Sequence, residues 1–365
     1  MWEIGGQDMS TPLLQKRNNY IISNRDFLDD YSNIKSLRID MTLSGKYLYK
    51  YPFKGFKRKN LDSYPSHTDI KILEDTIKSK YNINSKEVVI GSGANGLIQN
   101  LIKLFLSKDG NLVTPYLTFN QAEYAASAYG AKTYRVFTKD FKINLLNIDK
   151  TINDETKVVY LCNPNNPTGL YLDPSSIIRL SRKYKEVYFI IDESGIEFTK
   201  EKSMLDYYFP DNVILVRSFS KAFGLANMRI GYMVCSKRIG ELYEKNITVN
   251  EFSGLSCDMA YQALKSDCYL KNVDLIIKER NYLMNELAKL DISIIDSKSN
   301  IIMTRTCFNS DFINQLINMN VSVVPIYDEN NKIHLRIAVQ DKKTNRSFIK
   351  VMNKIIKCDN IKIGG

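Results

Sequence analysis

The residues in this 365-residue chain best suited to covalent chemistry lie in one stretch, 218–231, reading Ser-Phe-Ser-Lys-Ala-Phe-Gly-Leu-Ala-Asn-Met-Arg-Ile-Gly. Lys221 follows two hydroxyls, Ser218 and Ser220, and precedes Arg229 by eight residues. Apolar runs at 213–216 and 232–234 flank the stretch. A free ammonium buried between them would be costly. A Schiff base removes that cost and gives the amine a chemical role. The hydroxyls and the arginine then suit a phosphate on the partner that the lysine holds.

Three other clusters follow expected strands, and ligands of open α/β sheets collect at such strand ends. Gly91-Ser92-Gly93-Ala94-Asn95-Gly96 stands between a strand and a helix. It is either an ordinary turn or a place where backbone amides of Gly93, Ala94 and Asn95 meet a phosphate. Asn163-Pro164-Asn165-Asn166-Pro167-Thr168-Gly169 reads as a rigid turn, stiff enough to hold Asn166 against a ligand. Asp192 ends the run Ile190-Ile191-Asp192. It is a helix cap or the acid that faces a pyridine nitrogen, where the two charges support each other and the ring becomes an electron sink. The combination points to pyridoxal 5′-phosphate (PLP) on Lys221.

Composition narrows the alternatives. Hydrophobic residues make up 44% and charged residues 25% of the chain, ordinary values for a globular protein. The net charge of +11 is spread along the chain, so solvated faces and small anionic substrates are expected, not nucleic acid. No apolar run reaches the length a bilayer requires, and the N-terminus lacks the order of a signal peptide. A cytoplasmic protein with no membrane partner is expected. The six cysteines show no metal spacing, and His67 and His334 are the only histidines. Reduced thiols and no metal are therefore expected.

These clusters need elements to position them. Strand signals at 88–90, 112–113, 133–137, 157–161, 187–191 and 213–216 alternate with helical periodicity at 70–81, 97–105, 118–129 and 175–184. That alternation predicts an α/β domain with a mostly parallel mixed sheet between helix layers. Beyond about 245 the pattern changes to a long helix at 275–290, strands at 292–295, 301–304, 321–324 and 333–339, and helices at 312–319 and 346–356. The expected organisation is an N-terminal arm, 1–45, a large domain, 46–245, and a smaller α+β domain, 246–365.

Taken together and in this order, the clusters resemble the PLP-dependent aminotransferases of fold type I, class I/II, and most nearly the histidinol-phosphate aminotransferase branch. The matching stretches include Asn-Pro-Asn-Asn-Pro-Thr-Gly, Asp-Glu-x-x-Ile-Glu-Phe, Ser-Lys-Ala-Phe-Gly-Leu and Met-Arg-Ile-Gly, and the likeness covers roughly 60 to 350. The resemblance implies that Lys221 holds PLP and moves the proton, and that Asp192 pairs the ring nitrogen. It implies Asn166 on the phenolic oxygen and Phe119 stacked on the ring. It further implies a homodimer in which Tyr64 reaches the phosphate of the second subunit, and Arg336 as the grip on the substrate carboxylate. The implied reaction moves an amino group between an α-amino acid and a 2-oxo acid. Decarboxylation, oxidation or lyase chemistry on the same fold is the alternative.

Three departures bear on substrate. Asp40–Tyr47 reads Asp-Met-Thr-Leu-Ser-Gly-Lys-Tyr where histidinol-phosphate enzymes carry an Asn-x-Asn-Glu-Asn-Pro substrate loop. Gly195 stands where the family usually carries an aromatic residue, which leaves room or alters the bound cofactor's proton affinity. Val324 stands where phosphate-binding relatives carry an arginine. One lost charged contact is worth about 2–3 kcal/mol, so an α-amino acid is expected in place of a phosphate ester.

Overall fold

Apolar residues alternate between the two faces of a seven-stranded sheet, in the order β2-β8-β7-β6-β5-β3-β4. The computed structural model describes residues 37–39, 64–106, 109–247 and 251–359. The strands are β2 (Glu87–Gly91), β3 (Asn111–Pro115), β4 (Lys132–Val136), β5 (Thr156–Cys162), β6 (Tyr188–Asp192), β7 (Val213–Ser218) and β8 (Gly231–Cys235). β4, β3, β5, β6 and β7 are mutually parallel, while β8 runs antiparallel to both β7 and β2. One face carries Val113, Val159, Leu161, Phe189, Ile191 and Leu215, and the other Leu112, Val158, Tyr160, Ile190, Ile214 and Val216. A sheet buried on both faces in this way must be covered by helices on both.

Helices α1 (His67–Lys80), α2 (Gly93–Phe105), α3 (Gln121–Ala128), α4 (Leu145–Thr151), α5 (Pro174–Lys183) and α6 (Lys237–Asn246) lie between and beside these strands in sequence. α2 buries Leu97, Ile98, Leu101 and Ile102 on one stripe, the spacing that predicts its helical form. α5 starts sharply because Asp173 accepts Ser175 N at 2.8 Å and Pro174 takes the first helical position.

The smaller unit is built from α8 (Tyr269–Ala288), α9 (Ser310–Asn318), α10 (Lys342–Asp359) and the antiparallel sheet β11-β12-β9. Its strands are β9 (Ile301–Met303), β11 (Val324–Tyr327) and β12 (Ile333–Ala338). Three expectations change here. Leu37–Arg38 forms β1, paired in parallel with β10 (Val321–Ser322), and Ile39 is fully buried, so this part of the expected arm belongs to the smaller unit. The rest of the 1–45 arm, residues 1–36 and 40–45, lies outside the described residues, as does the whole of the Asp40–Tyr47 stretch. The run 321–324 divides at Val323, because β10 pairs with β1 and β11 with β12. Residues 292–295 contribute only the bridge Ile294–Thr304, not a strand.

Just beyond the expected boundary near 245, one helix keeps contact with the elements before it. α7 (Gly254–Ser266) packs on the large domain, with Lys80 Nζ donating to Leu264 O at 3.2 Å and Ser256 Oγ to Met228 O at 2.7 Å. No helix among the described residues is long and apolar enough to cross a membrane.

Candidate active site

β5, β6 and β7 end side by side, and the chemistry-bearing residues leave from those ends. Cys162 and Asp192 are register partners at the ends of β5 and β6, and Asn163 N donates to Asp192 O at 2.8 Å. Asp192 is 3% exposed. Its Oδ2 accepts from Tyr160 Oη at 3.1 Å, and its Oδ1 accepts from Ser194 N at 2.9 Å and Ser194 Oγ at 2.5 Å. Three donors thus fix the carboxylate in place, and their cost is offset by charge-assisted bonds. Burial and the neighbouring Asp192 charge raise the Tyr160 hydroxyl well above its usual pKa, so it stays a donor.

Burial and the Asp192 charge push the Cys162 thiol up to about 12, while Lys221 and a backbone bond from Asn166 act in the other direction. Asp192 ends β6, Asn166 lies four residues beyond β5 and Lys221 three residues beyond β7, so the three leave from adjoining strand ends although they are far apart in sequence.

Behind Asp192, Glu193 is fully buried. It accepts Met204 N and Ser203 Oγ, both at 2.7 Å, and pairs with Arg217 Nη2 at 2.9 Å. This arrangement holds the loop after β6 against β7.

The Lys221 loop and α2 form a cradle. Ser218 Oγ accepts Ser220 N at 3.0 Å, and Ser218 pairs with Gly231 across β7 and β8. Arg229 takes a left-handed conformation (φ 48°), with Nη1 donating to Ala226 O at 3.0 Å. Gly93 at the start of α2 has φ 79°, and a Cβ there would stand 3.2 Å from Arg229 Nη2. The arginine therefore reaches the N-terminus of α2, next to the amides of Ala94 and Asn95. Glycine is required at Gly93 both by its φ and by this approach.

The Asn166 loop is tied to the Phe119 loop. Thr118 Oγ1 donates to Asn165 Oδ1 at 2.7 Å, and Asn165 Nδ2 donates to Leu117 O at 2.8 Å. Phe119, half-buried, follows directly. From the smaller unit, Arg336 Nη1 donates to Asn166 Oδ1 at 3.2 Å. Tyr64 is 81% exposed just before α1.

Sequence reasoning missed Tyr160 and Ser194, which bond Asp192, and Thr118 and Asn165, which tie together the loops that carry Phe119 and Asn166. Tyr160 carries a usable signal: it lies two residues before Cys162 and so shares its face of β5. The space off Gly195 is met by Ser299 Oγ, 3.1 Å from where a Cβ would stand. The room expected there for a substrate is therefore bounded by a buried hydroxyl of the smaller unit.

The cradle fits PLP on its own chemistry. Glycine at 93 leaves backbone amides and a guanidinium facing one space, which suits a phosphate, and a fixed carboxylate and a lysine stand at the adjoining strand ends.

Comparison with known proteins agrees. Residues 57–352 match the family Aminotransferase class I and II, so the chain belongs to that family. It is a PLP-dependent enzyme that transfers amino groups. Histidinol-phosphate aminotransferase of Clostridium novyi is 31% identical over 305 residues, covering 82% of this chain and 83% of that protein. The Methanococcus aeolicus protein of the same name is 29% identical over 310 residues, covering 81% and 83%. The Sinorhizobium meliloti histidinol-phosphate aminotransferase, solved with PLP, superposes with TM-score 0.76 at 19% identity, covering 96% of this chain and 99% of that one. The fold is thus the PLP-transferase fold, a mostly parallel mixed sheet between helices with a smaller C-terminal unit.

Proposed function

We propose that the enzyme moves an amino group between an α-amino acid and a 2-oxo acid, with Lys221 as the amine that holds PLP. The observation that carries this reading is the Arg336–Asn166 hydrogen bond. It brings a guanidinium from the smaller unit to the loop beside Asp192 and Lys221, where a carboxylate can be gripped by a two-pronged donor.

Bound PLP supplies an electron sink that weakens the bonds at the substrate's α-carbon. The chain's own residues do the rest. Ser218, Ser220, Arg229 and the amides of Gly93, Ala94 and Asn95 would bind the phosphate. Asp192, fixed by Tyr160 and Ser194, would stay ionised and keep the ring nitrogen protonated. Asn166 would hydrogen-bond the phenolic oxygen, and Phe119 would pack on the ring. Arg336 would orient the substrate by its carboxylate, and Lys221 Nζ, freed when the substrate's amine displaces it, would take up the α-proton and hold it for return.

The relatives' named substrate is a phosphate ester. At the β11 position where a phosphate-binding arginine is expected stands Val324, so the anionic handle read here is the carboxylate alone. The working unit is a homodimer in the cytoplasm; the exposure of Tyr64 supports the dimer.

Borohydride reduction of the PLP-loaded protein followed by peptide mass mapping tests the assignment. The cofactor mass should appear on Lys221 and vanish in Lys221→Ala. Cofactor found on another lysine, or release of carbon dioxide or peroxide in place of a 2-oxo acid, would overturn it.

A further inference from the structure

The substrate's other end can be read from what surrounds Arg336. In the antiparallel sheet Arg336 stands directly opposite Val324 on β11 and Met303 on β9, so these three side chains share one face. Ile326, opposite His334, lies on the same face two residues along. Val324, Met303 and Ile326 pack with Tyr116, Leu117 and Leu170 from the large domain. Leu170 follows Gly169 at the end of the Asn166 loop, and Leu117 precedes Phe119 by two residues. The wall beside the carboxylate grip is therefore apolar and is built from both units.

The charged groups near that wall already face other partners. Arg305 pairs with Asp140. Glu329 accepts Thr138 N and Oγ1, both at 2.6 Å. Asp328 caps its own turn through Asn330 N at 2.9 Å and Lys332 N at 2.8 Å, and lies 3.5 Å from His334 Nε2. An anionic or phosphorylated side chain placed against Val324 would lose its hydration, and the charged groups named here among the described residues offer it no cation in exchange.

We propose that the amino donor is an α-amino acid with an apolar side chain, lying against Val324, Leu170 and Tyr116 while Arg336 holds its carboxylate. This rests on the reading of Arg336 and Lys221 given above. An apolar wall rejects a charged group strongly, and it ranks apolar groups by size at roughly tenfold per methylene or more.

The experiment titrates the PLP-loaded enzyme with leucine, methionine, phenylalanine, aspartate, glutamate and histidinol phosphate, and reads loss of the bound cofactor's visible absorbance. The expected result is half-saturation by an apolar donor at a concentration at least about tenfold below that of either acidic donor, with no response to histidinol phosphate. Val324→Thr, equal in shape, should weaken the apolar donors several-fold. Val324→Arg should weaken them further and bring in an anionic donor. Covalent cofactor on Lys221 with acidic donors or histidinol phosphate preferred would overturn the apolar assignment alone. An unchanged ranking in both Val324 variants would do the same. Failure to load PLP on Lys221 would overturn this inference together with the reading it rests on.

Discussion

Arg336 and Asn166 hydrogen-bond across the two units of the fold, Nη1 to Oδ1, at 3.2 Å. On the proposed reading, in which Arg336 would hold the substrate carboxylate and Asn166 would face the cofactor, this bond would aim the guanidinium before substrate arrives. Arg336→Lys keeps the charge but loses the planar fork. It should raise donor KM by about tenfold or more, about 1.4 kcal/mol or above, and leave covalent PLP loading intact. Steady-state kinetics with parallel cofactor mass measurement checks both halves.

Tyr160→Phe removes one of the donors that fix Asp192 and little else, because the ring stays buried in the same packing. One hydrogen bond to a charged group is worth about 1.5–3 kcal/mol. Apparent PLP affinity should fall by roughly 10- to 100-fold, with the melting temperature of the unloaded protein almost unchanged. Equilibrium dialysis against PLP and a thermal melt separate the two effects.

Glu197 gives a pH signature. Burial pushes its carboxyl up to about 7 against the pull of Arg217, whose Nη1 lies 3.9 Å from Glu197 Oε1. An acid whose folded pKa lies above its unfolded value binds more protons when folded. Its contribution is therefore fully present below pH about 4.5 and is lost as pH rises through about 7. The loss is on the order of 1–3 kcal/mol. Glu197→Gln keeps the shape and cannot ionise, so denaturant unfolding of this variant should show a shallower decline than the parent across that window. Equal slopes would refute the assignment.

The turn at Asp140–Phe141 fastens the two units together beside the Tyr116–Val324 wall, where Phe141 joins the same apolar cluster. Both residues have positive φ, 52° and 64°. They place Asp140 on Arg305 and the Phe141 ring edge-on to His334, with centroids 5.1 Å apart, while the neighbouring Thr138 binds Glu329. Glu329→Ala should loosen this fastening by about 1 kcal/mol. Donor KM should rise several-fold while PLP loading holds, because substrate binding must then supply the ordering. Unchanged KM would show that the two units need no such fastening.

Gly169 sets a stricter limit. Its φ is 70°, and a Cβ there would stand 2.1 Å from Ser297 Oγ. Gly169→Ala meets both backbone strain and that hydroxyl, so a loss of about 2 kcal/mol or more is expected, read by denaturant titration. A loss below about 0.5 kcal/mol would show that Ser297 moves aside freely.

The parts of the site that could be read in the sequence are those where a single stretch carries its own geometry. Lys221 with Ser218, Ser220 and Arg229, Asp192 at a strand end, and the Asn166 turn are all local, and the structure brings them to adjoining strand ends. What stayed hidden depends on contacts between distant segments. Tyr160 meets Asp192 only because β5 and β6 are register neighbours. Thr138 meets Glu329 across 191 positions. The apolar run at 321–324 could not reveal that the chain changes sheet at Val323, because the partner of β10 is Leu37–Arg38, in a segment whose polar surroundings gave no strand signal.

Gly195 and Ser299 face each other over the seam between the units, one lacking a side chain and the other a buried serine. The backbone at 195, φ −125° and ψ 13°, is open to residues other than glycine, so Ser299 Oγ at 3.1 Å is the nearest obstacle to a side chain there. Exchange at 195 alone meets that hydroxyl, whereas exchange at 195 joined to Ser299→Ala or Ser299→Gly does not. In mutational libraries, side chains at 195 should therefore be found chiefly where 299 has lost its hydroxyl, while a smaller residue at 299 makes no demand on 195.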